Sequence, residues 1–136
     1  MPKILVVDED LYVLKCYSEL FSKAGFETHT AQDATSAIAK FVEVKPDLVI
    51  LDVEMPCGGG RMVLESLREN FMSKVPVLFA TENTEPVIDL SGHSDVYVVK
   101  KIFHTQDLTD TIRKILKIGP PATTEDSPAT HKGWTD

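Results

Sequence analysis

Cysteine is scarce in this chain. Cys16 and Cys57 are the only two in 136 residues, too few for a disulfide framework, and no CxxC or Cys/His spacing suggests a zinc site. A reducing, cytoplasmic compartment follows as the expectation. Positive charge is also in deficit, with 14 Lys and Arg against 21 Asp and Glu and a formal net charge of -7. No basic stripe is left to neutralise nucleic-acid phosphates, so direct nucleic-acid binding is not expected. Long apolar runs are absent as well. The first, Ile4 to Val7, is cut off by acids and is far shorter than a signal-peptide core or a membrane span, so neither secretion nor membrane insertion is expected. The four histidines, His29, His93, His104 and His131, share no ligand spacing.

What is present is an alternation. The length suits one domain with one core. Ile4 to Val7, Leu48 to Leu51, Val75 to Ala80 and Val96 to Val99 are apolar runs without polar alternation, as strands buried on both faces of a parallel sheet read. Phe26 to Thr30 is a weaker strand. Between them, apolar residues recur three and four apart, as in Leu14, Tyr17, Phe21 and in Val63, Leu67, Phe71, the spacing of amphipathic helices. Gly25 marks the stop of the first helix, Asp33 an N-cap for the second, and Lys45-Pro46 its end. A last helical pattern runs from about Asp107 to Ile118, with Gly119-Pro120-Pro121 closing it.

Five alternating β and α units predict an α/β fold, a doubly wound five-stranded parallel sheet with helices on both faces and right-handed crossovers. The expected organisation is one domain over residues 1–118, with residues 119–136 a disordered tail rich in Pro, Thr, Asp and Ser. No internal repeat is visible.

Four strands end at their carboxyl side in polar residues that an apolar run does not require: Asp8-Glu9, Asp52, Thr81 and Lys100. That edge is where ligands bind in such sheets. Carboxylates converging there repel one another unless a cation sits among them, and all-oxygen ligation suits Mg2+. A lysine charge and a threonine hydroxyl complete what phosphoryl transfer needs, an oxygen nucleophile plus cations around the equatorial oxygens.

These residues resemble the receiver domain of two-component response regulators, over residues 3 to 118. The resemblance rests on Val6-Val7-Asp8-Glu9, on Leu51-Asp52-Val53-Glu54-Met55-Pro56 with Gly60, on Pro76-Val77-Leu78-Phe79-Ala80-Thr81, and on Tyr97-Val98-Val99-Lys100. Each piece is weak alone, and together they are specific. The resemblance implies the strand order 2-1-3-4-5. It further implies that Asp52 is the phosphoacceptor, that Asp8, Glu9, Asp52 and the Glu54 backbone carbonyl hold Mg2+, that Thr81 and Lys100 contact the phosphoryl group, and that Tyr97 is the aromatic switch. The donor would be a sensor histidine kinase or phosphotransfer protein, and the output a downstream protein docking on the face of helix 4, strand 5 and helix 5. Such a domain is a phosphoacceptor rather than an enzyme, with self-phosphorylation from small donors and slow autodephosphorylation as its own chemistry.

The chain departs from that pattern in three places. Lys101 replaces the proline that usually follows the lysine with a cis bond. A non-proline cis bond costs roughly 2.5–4 kcal/mol, so a trans Lys100–Lys101 peptide and a less firmly aimed Lys100 are expected. The stretch between Thr81 and Lys100 is short, leaving a stunted fourth helix. Glu54 adds a carboxylate beside the site. Two other functions compete with a stand-alone receiver: a pseudo-receiver that binds partners without phosphotransfer, and a haloacid-dehalogenase-type phosphatase using Asp8 and Asp10. The phosphatase reading leaves Asp52 without a task. Cys57-Gly58-Gly59-Gly60 reads as a flexible turn, and Glu65, Arg68 and Glu69 as a wet helix face.

Overall fold

The computed structural model describes residues 1–53, 55, 59–81, 95–100 and 105–119, with Lys100, Thr105 and Gln106 by backbone alone. The expectations for Glu54, Cys57, the fourth helix, the Lys100–Lys101 peptide and the tail lie outside these residues.

The apolar runs form five parallel strands: β1 (Lys3–Val7), β2 (Glu27–Ala31), β3 (Leu48–Asp52), β4 (Val77–Thr81) and β5 (Val96–Lys100). They lie in the order β2-β1-β3-β4-β5, the doubly wound arrangement expected. The helices are α1 (Leu11–Lys23), α2 (Ala34–Val44), α3 (Gly59–Glu65) and α4 (Thr105–Leu116), the last being the helical pattern before Gly119.

Residue parity sorts the core into two layers, because successive side chains on a strand point to opposite faces. Even-numbered Ile4, Val6, Leu48, Ile50, Leu78 and Ala80 join Leu14, Tyr17 and Phe21 of α1 and Leu108 and Ile112 of α4. Odd-numbered Leu5, Val7, Val49, Leu51, Val77 and Phe79 join Ala34 and Ala37 of α2 and Val63, Leu64 and Leu67 of the α3 region. Strands β1, β3 and β4 are thus apolar on both sides because both sides are covered. Each fully buried Leu, Ile or Phe contributes about 1.5–3 kcal/mol. Edge strand β2 has only Ala31 buried, which explains its weaker apolar signal.

Local signals end the helices as expected. Gly25 takes φ 91 just past α1, a conformation open to glycine. Asp33 and Ser36 form a capping box at the start of α2. Lys45, barred from α geometry by Pro46, takes φ 55 and closes α2 by donating its N–H to Phe41 O at 2.9 Å.

One turn was not foreseen. Helix α3 continues as a π-helical segment, Ser66–Asn70, where the Phe71 N–H reaches Ser66 O at 3.1 Å. Here the reading of Arg68 as a wet residue gives way. Its guanidinium is part-buried and donates to the carbonyls of Ser73 (3.1 Å) and Asp95 (3.4 Å), tying the approach to β4 to the start of β5. Glu69 is exposed, as read.

Candidate functional site

Strand register assembles the carboxyl edge of the sheet. Val7 of β1 pairs with Leu51 of β3, so Asp8 and Asp52 each stand one residue beyond a paired position on neighbouring strands. Adjacent strands lie about 4.8 Å apart, which sets these two acids side by side. Both are almost closed to solvent, Asp8 at 2% and Asp52 at 4% exposure. Asp52 pairs with Ala80 of β4, and Thr81, 1% exposed, follows it and pairs with Lys100. The order along the edge is therefore Asp8, Asp52, Thr81, Lys100. The Lys100 side chain and the Glu54 carbonyl lie outside the described residues.

Backbone hydrogen bonds hold the two acidic positions. The Asp8 N–H donates to Ala31 O at 3.1 Å, and the Val53 N–H to Ala80 O at 3.1 Å, so each pairing extends a step past its strand. Asp8 Oδ1 accepts the Asp10 N–H at 2.9 Å. Asp10 in turn caps α1, its own Oδ1 accepting the Tyr12 N–H at 2.9 Å. The three consecutive acids thus divide their work. Asp8 faces the site, Asp10 serves the helix, and Glu9 between them is exposed. Asp10 carried a legible signal, an Asp just before an apolar period of three and four, that the reading of the Asp8-Glu9-Asp10 run passed over.

After Asp52 the chain is pinned again. Met55, 6% exposed, enters the core beneath α2 and α3. Gly59 and Gly60 are buried and open α3, which replaces the flexible turn expected of that part of the glycine run. Gly59 holds φ +58, and a Cβ on Gly60 would meet Asp52 O and Phe79 Cε1, each at 2.8 Å. Glycine there lets α3 close directly onto the Asp52 backbone.

Tyr97 lies on β5 opposite Leu78, 37% exposed. Its hydroxyl donates to Asp95 Oδ1 at 3.3 Å. Asp95 precedes β5, so the ring leans toward the end of the strand away from Thr81. Partial burial and the neighbouring Asp95 carboxylate raise the phenol above its ordinary value.

The donor set suits a hard divalent ion: two buried carboxylates and an exposed third, with oxygen the only ligating atom. Among the described residues no three His, Cys, Asp or Glu side chains are grouped to hold a metal, and Glu9 is exposed. No helix among the described residues is long and apolar enough to cross a membrane.

Residues 4–113 match the family described as the response regulator receiver domain. The chain belongs to that family. Among curated relatives, the receiver is 34% identical over 118 residues to the probable transcriptional regulator ycf27 of Cyanophora paradoxa, an alignment covering 85% of this chain and 48% of that protein. The chain spans about half the length of the first curated relatives it matches. Among solved structures it resembles the chemotaxis protein CheY4 of Vibrio cholerae, with TM-score 0.77 and 28% identity over 85% of this chain and 98% of that one. It also resembles the response regulator TrrA of Thermotoga maritima, solved in complex with Mg2+ and BeF, with TM-score 0.74 and 33% identity over 85% and 99% of the two chains. Receiver domains are signalling domains of two-component systems that interact with histidine kinases and use Mg2+ in phosphorylation, and their fold is the one found here.

Proposed function

We propose that this receiver is a phosphorylation switch whose acceptor is Asp52. The observation that carries the reading is the register setting buried Asp52 between buried Asp8 on one side and buried Thr81 on the other, at the edge where doubly wound sheets bind ligands. An Asp52 carboxylate oxygen attacks the phosphorus of a phosphohistidine on a sensor kinase or phosphotransfer protein. The new P–O bond forms as the P–N bond breaks, and the departing imidazole takes up a proton. Thr81 donates its hydroxyl to the transferred group, and Lys100 balances its charge. Asp8, Glu9, Asp52 and the Glu54 backbone carbonyl would hold Mg2+, which when bound offsets the charge of carboxylates and phosphoryl oxygens together.

Tyr97 is the proposed reporter of this event. Movement of Thr81 toward a phosphoryl group opens room on the β4–β5 side, and the exchange of the Tyr97–Asp95 bond for an inward rotamer carries the change to the output face, which comprises the family's helix 4, strand β5 and the last helix, here α4. A downstream protein docks there, with residues 1–118 as the working unit and residues 119–136 a tail. The domain acts through protein contacts, without direct nucleic-acid or membrane binding, in the cytoplasm. Intact mass after incubation with Mg2+ and acetyl phosphate tests the reading. One added phosphoryl group, labile to acid or hydroxylamine and lost in Asp52→Asn, is the expected result. An unlabelled wild-type protein would leave a pseudo-receiver, and labelling of Asp8 or Asp10 in the variant would restore the phosphatase alternative.

A further inference from the structure

The loop carrying Asp8 and Glu9 is held from outside its own strand and helix. Besides the Asp8 N–H bond to Ala31 O, the side-chain amide of Gln32 donates from Nε2 to the Glu9 carbonyl at 3.3 Å, across a separation of 23 residues. Gln32 lies between the end of β2 and Asp33, the N-cap of α2, so its own backbone is fixed on both sides. Glu9 is correspondingly held on both sides. Its carbonyl takes the Gln32 amide, while the next residue, Asp10, is anchored to Asp8 Oδ1 and to α1. An exposed side chain such as Glu9 gains nothing from this in the core. What the bond constrains is the peptide from which the Glu9 carboxylate springs.

We infer that Gln32 is a positioning residue for the acidic loop. By fixing the Glu9 carbonyl it limits the positions from which the Glu9 carboxylate can join Asp8 and Asp52 around a divalent cation, lowering the ordering that binding requires. The inference rests on the proposed magnesium site and deepens it by adding a residue that touches neither cation nor phosphoryl group. It also makes the β2–α2 connection part of the site's support. The contact is single and solvent-exposed, so its loss should weaken Mg2+ binding by about two- to fivefold and not abolish it.

The test is calorimetric titration of the unphosphorylated full chain with MgCl2, in wild type, Gln32→Met, Glu9→Ala and the double variant. Methionine keeps the length of the side chain and removes its donor. Weaker binding in Gln32→Met, with no further loss when Glu9→Ala is already present, is the expected result. At saturating Mg2+ the phosphorylation rate of Gln32→Met should return to the wild-type value. An unchanged affinity, or an equal loss with and without the Glu9 carboxylate, would overturn the inference, the latter because Gln32 would then support the fold generally. Asp8→Asn separates the two levels. If it abolishes binding while Gln32→Met has no effect, only the positioning role fails, whereas a wild-type protein that takes up no Mg2+ refutes the site and this role together.

Discussion

Gly60 lies so close to Asp52 that a single added methyl carbon would sit 2.8 Å from the Asp52 carbonyl oxygen and equally close to the ring of Phe79. Both obstacles are rigid, one backbone and the other a 1% exposed core aromatic. Gly60→Ala should therefore push the start of α3 off β3, costing about 1–3 kcal/mol as overpacking does. Urea denaturation measures the loss, and the rate of Asp52 labelling should fall with it. Gly119→Ala, where nothing lies within 4 Å, is the matched control and should leave both unchanged. Equal behaviour of the two variants would contradict the packing described.

Magnesium should raise the melting temperature. An ion that binds only the folded state and relieves repulsion between adjacent Asp8 and Asp52 stabilises by mass action, about 1.4 kcal/mol when its concentration is tenfold above Kd. For a domain of this size that is a shift of several degrees. Asp8→Asn and Asp52→Asn should each flatten the response. A wild-type melting temperature indifferent to ~10 mM MgCl2 would argue for a binding module without phosphotransfer.

Acid should weaken the start of α2 in a defined window. The Ser36 backbone N–H at 2.8 Å, then its hydroxyl, stabilise the Asp33 carboxylate and hold it below its ordinary range. A depressed folded-state value means that the contribution is complete above the unfolded value of about 3.9 and is lost as pH falls through the lower, folded one. Asp33→Asn caps well but does not titrate. Its stability relative to wild type should therefore rise as pH drops from neutral to about 3, as followed by denaturant midpoints. A constant difference would mean that the capping charge adds nothing.

Arg113 should prove a structural cation. It is 8% exposed, its Nη2 donates to Ala24 O at 2.9 Å, and its guanidinium carbon lies 5.3 Å from the centre of the Phe26 ring, fastening α4 to the end of α1. Arg113→Met should cost about 1–3 kcal/mol, through the stranded carbonyl and the lost cation–π contact. Arg61→Met, which breaks an exposed pair with Glu65, should cost under about 0.5 kcal/mol. Chemical denaturation of both variants checks the ordering.

Much of this molecule can be read along the chain, because the information is local. Runs such as Leu48 to Leu51 signal a strand covered on both faces, and Asp52 stands out because nothing in a buried strand calls for a charge there. Gly25, Asp33 and Lys45-Pro46 act on their own backbone within a few residues, so the helix ends were legible. The family resemblance joined these local signals into one site and supplied the strand order, which no single segment contains.

Tertiary structure decided whatever depends on two segments meeting. That Asp8 lies beside Asp52 is a matter of register between β1 and β3, 44 residues apart and set by both cores together. The π turn after α3 and the part-buried Arg68 within it, bonded to the Ser73 carbonyl, appear only in the folded chain, against a periodicity that looked ordinary. Gly60 read as part of a loose turn until β3 closed against it. The Gln32 bond to Glu9 left no trace in either neighbourhood, since a surface glutamine and a backbone carbonyl are each unremarkable alone. Propensity and patterning act within a turn or a strand, whereas the aim of a side chain is set by the shape that packing imposes on distant backbone.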